Sequence, residues 1–188
     1  MGDIRTPLPV KLITSIFAAE PPLFATVKRE LVEAFGPIDY QSPRLPFNQT
    51  DYYRQEFVPD LQREIIAFRP LIDPARIAEI KRYSNGLEVE YAREDGSRRV
   101  NLDPGYLEQG KLVLVTTKNY AHRIYLGQGI YAEVTLIYRN HNFQPLPWTY
   151  PDYASDAYTA MLSEIRDVYG KQLRKLRRKA DAPTLRSG

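Results

Sequence analysis

The chain has 188 residues, 43% of them hydrophobic and 12% aromatic, enough for one core that buries about two thirds of the extended surface. It contains no cysteine, which excludes a disulfide framework, a Cys-ligated zinc and a thiol nucleophile and fits a reducing, cytoplasmic setting. The formal charge of +3 is uneven: residues 171–188 carry seven Lys or Arg against Asp181, so the preceding 170 residues sum to −3. That basic stretch reads as a solvated helix end complementing the helix dipole, and nucleic acid is not an expected partner.

Residues 10–17 (VKLITSIF) predict a strand, and 21–35 predict a helix whose Leu23, Val27, Leu31 and Phe35 share one face. Pro21 and Pro22 suit its first turn, Gly36-Pro37 ends it, and IDYQSPRL offers a second extended segment. Residues 46–61 lack periodicity and read as a surface loop carrying aromatics. The pattern then returns: REIIAFRP (63–70) is strand-like, Asp73-Pro74 is an N-cap with a first-turn proline, Ile77 and Ile80 give a stripe, and Asn85-Gly86 closes the helix before an alternating LEVEYAR (87–93). Two successive β-α-β units of this kind form the ferredoxin-like βαββαβ pattern, so the expected class is α+β.

Residues 94–97 read as a turn into RRVNL, and Gly127-Gln128-Gly129 as another, joining HRIYL to IYAEVTLIYR. LVLVTT (112–117) predicts a strand, while RNHNF reads as a soft loop. From about Ser155, the spacing of Tyr158, Leu162, Ile165, Tyr169, Leu173 and Leu176 fits a long amphipathic helix. The expectation is a single domain over residues 1–180 with C-terminal hairpin strands added to the sheet, and a flexible tail over 181–188. No apolar run approaches the ~18 residues of a membrane span, so no membrane association is expected.

Gly105-Tyr-Leu-Glu-Gln-Gly110-Lys111 has the spacing of a phosphate-binding P-loop, but Leu112 stands where a magnesium-binding hydroxyl belongs. The segment reads instead as a turn between two elements. Asn101-Leu-Asp103-Pro-Gly105 reads as a helix cap or as a carboxylate at a strand end. Thr116, Lys118 and Arg123 form the best anion-binding group, and Trp148 and Tyr150 could stack on a ring. His122, Asp103 and Glu133 are the candidate acid–base residues. In IYAEVTLIY, alternation sets Glu133 with Tyr131 and Thr135; if that face is buried, its carboxylate needs a partner such as Arg123 across the hairpin. No metal-ligand spacing is present, and no cofactor is indicated.

PFNQTDYY, LIDP, RRVNLDPGYL, TTKNYAHRIYL, GIYAEVTL and PLPWTYPDY together resemble a prokaryotic domain-of-unknown-function family, the 4416 family, from about residue 8 to 175. That resemblance implies no reaction, substrate or catalytic residue. The functional expectation is therefore a binding protein for a small anionic molecule, a nucleotide among the candidates. The alternatives are a hydrolase or transferase acting on a phosphorylated or carboxylated substrate, and a protein or RNA interaction module.

Overall fold

The structure is a computed structural model that describes residues 2–47 and 61–180. The aromatic loop expected between the second extended segment and the strand at 63–70 therefore lies almost wholly outside the described residues, as does the expected tail. The elements are β1 (Val10–Ala18), α1 (Pro21–Phe35), β2 (Ile38–Gln41), β3 (Leu45–Pro46), β4 (Gln62–Ile72), α2 (Ile77–Glu90), β5 (Val100–Leu107), β6 (Lys111–Thr116), β7 (Ile124–Gly127), β8 (Ile130–Arg139), β9 (Asn142–Pro145) and α3 (Asp156–Ala180). A single 3-10 turn, Pro74–Arg76, introduces α2, with the Asp73 carboxylate accepting from the Ala75 N–H. The nine strands form one mixed α+β architecture with an antiparallel sheet in the order β2-β4-β1-β5-β6-β8-β7; β3 adds to β4 and β9 to β8.

Alternating side chains send two hydrophobic groups to opposite faces of this sheet. Leu12 and Ile16 of β1 pack with Leu23, Phe24, Val27 and Leu31 of α1 and Ile77, Ile80 and Leu87 of α2. Ile13 of β1, with Ile65 and Ala67 of β4, packs instead with Leu162, Ile165, Tyr169 and Leu173 of α3. The result is a sheet between two helical layers. Lys11 is buried on this framework, its Nζ bonded to Asp39 Oδ1 at 2.7 Å and to Gln172 Oε1 at 3.0 Å, while the Tyr169 hydroxyl donates to the Pro9 carbonyl. These bonds fasten α3 to the first strand.

Two local expectations are corrected. Residues 87–90 of LEVEYAR are helical: α2 continues through Asn85-Gly86 to Glu90, because Ile77, Ile80, Ser84 and Leu87 form a buried stripe at helical spacing that outweighs the alternation of four residues. Gly86 meets nothing within 4 Å of an added Cβ and imposes no break. The strand that follows α2 is β5, so Asp103 and Pro104 lie inside a strand and cap no helix. The soft loop RNHNF is a tight hairpin: Asn140 and His141 have φ of 51° and 63°, the double left-handed turn that suits strand twist, and Phe143 is buried on β9.

β5 and β6 pair only from Gly105↔Leu114 to Leu107↔Leu112. Before Gly105 the two strands part, and the edge of β5 is taken over by α2. The Leu102 N–H donates to Glu88 Oε1 at 2.7 Å and the Leu102 carbonyl accepts from Lys81 Nζ at 2.6 Å. Backbone direction alternates along a strand, so Pro104 turns its missing N–H to this same side, where no ladder runs. Gly105 sits at the fork itself: a Cβ there would lie 2.4 Å from the Val113 carbonyl oxygen and 2.7 Å from Leu114 Cδ2. Gly105→Ala is expected to destabilise the fold by about 1–3 kcal/mol, measured by chemical denaturation; an unchanged midpoint would show that the fork accommodates a methyl group.

Candidate functional site

The parting of β5 and β6 opens a cleft of about 380 Å³. Its floor comes from three adjacent strands: Phe17 of β1 is directly opposite Arg63 of β4 and Asn101 of β5, and Ser15 is opposite Asp103. One wall is the end of β6 with the residues after it, Thr116, Thr117 and Lys118, together with Arg123 and Glu133; the other side carries Lys81 and Glu88 of α2, with residues 150–153 crossing above.

Six of the eight residues singled out from the sequence border this cleft: Asp103, Thr116, Lys118, Arg123, Glu133 and Tyr150. His122 and Trp148 are not among its lining residues. Their rings stack on each other with centroids 5.1 Å apart and planes 9° apart, Tyr120 stacks on His122 at 6.0 Å, and the indole N–H donates to the Val134 carbonyl at 2.8 Å. Trp148 thus braces the segment after β9 against β8, with one ring face already covered by His122.

Glu133 is buried, and both of its oxygens are bonded. Its Oε2 accepts from Arg123 Nε at 2.8 Å and lies 3.1 Å from His122 Nε2, while Thr135 donates to Oε1 at 3.3 Å. Arg123 also donates to the Lys118 carbonyl at 2.9 Å, which holds the turn after β6 closed over the carboxylate. The guanidinium that the hairpin brings to Glu133 is the partner a buried carboxylate requires.

The residues that sequence reasoning missed are Arg63 and Asn101 of the floor and Lys81 and Glu88 of α2. Arg63, 2% exposed, donates to Ser15 Oγ through Nε at 3.1 Å and Nη2 at 2.8 Å and ion-pairs with Asp152, and its guanidinium lies over the rings of Phe17, Tyr153 and Tyr158. The arginine that opens the apolar run REIIAFRP was the available signal. Burial pushes the Tyr153 hydroxyl far above the ordinary tyrosine range, despite the neighbouring Arg63. On the α2 side, burial raises the Glu88 pKa above its usual value, with Lys81 and the Leu102 N–H pulling the other way. Arg98 bridges this group to the floor through Asn101 Oδ1 at 3.0 Å, with Glu88 Oε2 3.8 Å away.

Among the described residues, the cleft thus holds five cations (Arg63, Lys81, Arg98, Lys118 and Arg123) and four carboxylates (Glu88, Asp103, Glu133 and Asp152), an excess of one positive charge. Every carboxylate has a cation within 3.8 Å. Among the described residues, no group of three or more His, Asp or Glu side chains is gathered in a way that could hold a metal ion. The basic residues of α3 lie elsewhere: Arg177, Arg178 and Lys179 occupy its exposed last turn, where they complement the helix dipole.

The chain belongs to the family described as Domain of unknown function (DUF4416), which matches residues 8–169. No curated protein and no solved structure matches it. Among the described residues, no helix is long and apolar enough to cross a membrane.

Removing one member of a buried ion pair strands the other without water, so Asp152→Ala is expected to cost about 3–5 kcal/mol by leaving Arg63 uncompensated; a loss under 1 kcal/mol in urea unfolding would show that Ser15 and the three rings suffice. Glu88 predicts a pH effect of definite sign. Its folded pKa is raised above the ordinary 4.5, so the folded state holds the extra proton, and its contribution to stability falls as pH rises from 4.5 through the folded pKa. The stability difference between wild type and Glu88→Gln should therefore shift against the wild type across that window, and a flat difference would refute the assignment.

Proposed function

We propose that the protein is a cytoplasmic binding protein for a small anionic molecule, a phosphorylated or carboxylated compound and a nucleotide among the candidates. The observation that carries this reading is the rim of the cleft: Thr116, Thr117, Lys118 and Arg123 lie together where β6 ends, in a concave site whose described residues carry an excess positive charge. Hydroxyls, an ammonium and a guanidinium together suit phosphate or carboxylate oxygens. Phe17, Phe47, Tyr120 and Tyr150 border the same space and supply apolar area for a ring.

Binding is favoured over hydrolysis or group transfer because of how Glu133 is held. A general base needs an oxygen available to the reacting proton, and both oxygens of Glu133 already accept bonds from Arg123, His122 or Thr135. We also read the first half of the fold as a ferredoxin-like βαββαβ unit. In support of this, its four strands run in the order β2-β4-β1-β5, with α1 and α2 on one face.

The test is a thermal-shift screen of the purified protein against nucleotides, sugar phosphates, dicarboxylates and inorganic phosphate. A ligand at a hundred times its Kd should add about 2.7 kcal/mol to the folded state, and Lys118→Ala should reduce that gain. Lys118 is the residue to change because its side chain is exposed, whereas Arg123→Ala would strand Glu133 and confound binding with folding. If no anion shifts the melting point, or if Lys118→Ala leaves every shift unchanged, the reading fails.

A further inference from the structure

Two neighbouring side chains on the floor of the cleft have complementary unmet hydrogen-bonding capacity. Asn101 is 3% exposed, and its Oδ1 accepts from Arg98 Nη1 at 3.0 Å. That bond fixes the orientation of the amide, because the flipped form would set NH2 against guanidinium. The consequence is that Nδ2 of this cleft-lining residue is buried and has no hydrogen-bond partner among the described residues. Native structures rarely leave a buried donor unmet, and a site where one occurs is a site with a reason for it.

Asp103 stands two residues along β5, so its side chain emerges on the same face, about 7 Å away by strand geometry. Its carboxylate is the most loosely held of the four in the cleft: Lys81 Nζ lies 3.5 Å from Oδ1 but gives its short bond to the Leu102 carbonyl at 2.6 Å. The Asp103 side chain is 32% exposed, against 9% or less for the other three. The floor therefore presents a donor and an acceptor side by side on one strand.

A phosphate or carboxylate could accept from Asn101 but would repel Asp103. An apolar ring would leave both unmet. A hydroxyl both donates and accepts, and adjacent hydroxyls on a compact ring satisfy the two residues together. We infer that Asn101 and Asp103 form a hydroxyl-recognition subsite that takes a sugar or ribose-like polyol, while Thr116, Thr117 and Lys118 at the rim take its anionic group. The assignment of the anionic end rests on the binding reading above; the polyol end rests on Asn101 and Asp103 alone. Asp103 acts here as a binding acceptor, in place of the general base that its position near a strand end suggested.

The experiment is isothermal titration of ribose 5-phosphate, propyl phosphate and ribose into the full chain and into Asn101→Asp, Asp103→Asn and Lys118→Ala. Asn101→Asp keeps the acceptor for Arg98 and the side-chain volume but turns the unmet donor into an acceptor, and thermal melts confirm that each variant is folded. The readout is the ratio of affinities for ribose 5-phosphate and propyl phosphate, in which the altered charge cancels. Wild type should prefer the sugar about tenfold, Asn101→Asp and Asp103→Asn should each bring the ratio close to one, and Lys118→Ala should weaken both phosphates while preserving it. If both phosphates bind equally to wild type, or if the two floor variants retain the preference, the hydroxyl subsite is wrong and the anion reading stands. Binding of ribose as tight as ribose 5-phosphate and sensitive to Asn101→Asp would keep the subsite and remove the anion reading. Absence of binding by all three compounds at millimolar concentration would overturn both.

Discussion

The parting of β5 from β6 is the constraint around which the molecule is arranged. A strand that loses its neighbour exposes N–H and C=O groups that must be satisfied elsewhere, and here α2 supplies the replacement through Lys81 and Glu88 on the two polar groups of Leu102. This explains why a helix in a hydrophobic layer carries a buried lysine and a buried glutamate about two turns apart. It also explains the sequence Asp-Pro-Gly inside a strand. Proline is tolerated where no ladder runs, and glycine admits the Val113 carbonyl at the point of separation.

The opened space is lined by charge because the strands beneath it carry charge on the face turned toward α3. Arg63 is the centre of that arrangement. It is held by a carboxylate, a hydroxyl and three aromatic rings, so its guanidinium is fixed in place before any ligand arrives. Tyr153 adds a hydroxyl 3.2 Å from Ser15 Oγ, which ties the segment before α3 to β1. Such a floor is rigid. The rim, in contrast, rests on the turn after β6, where Thr117, Lys118 and Asn119 are exposed. A rigid floor beside an accessible rim suits recognition of a shape at one end and a charge at the other.

Much of this was readable in the sequence where one periodicity dominated. Strands β1 and β4 and helices α1 and α3 follow apolar runs or stripes that match their boundaries closely. The end of α2 was misread because LEVEY alternates over a short window while the longer stripe from Ile77 to Leu87 decides the conformation. β9 was missed because its pairing depends on two left-handed residues, Asn140 and His141, with no glycine to mark them. The rim residues were found since they are adjacent in the chain. Arg63, Lys81, Glu88 and Asn101 were not, because they come together only through the strand order and the cross-sheet register, which no local pattern encodes. Trp148 reads as a stacking surface from its place in chain order near the final hairpin, and the ring it stacks on is His122.

The bonds between α3 and β1 have a consequence for how the chain reaches this state. Lys11 is completed by Gln172, 161 positions later, and the Pro9 carbonyl by Tyr169, 160 positions later. During synthesis the first strand therefore emerges with a cation and a carbonyl whose final partners are not yet made, and its α3-facing row, Ile13 included, has no cover. Closure over such separations is slow compared with local helix formation. The antiparallel sheet and the α1–α2 layer can assemble early, leaving the opposite face as the exposed surface of a late intermediate. Arrival of the final helix is then the event that converts a one-sided sheet into the finished protein, and chaperone capture or aggregation of the nascent chain would act on that face.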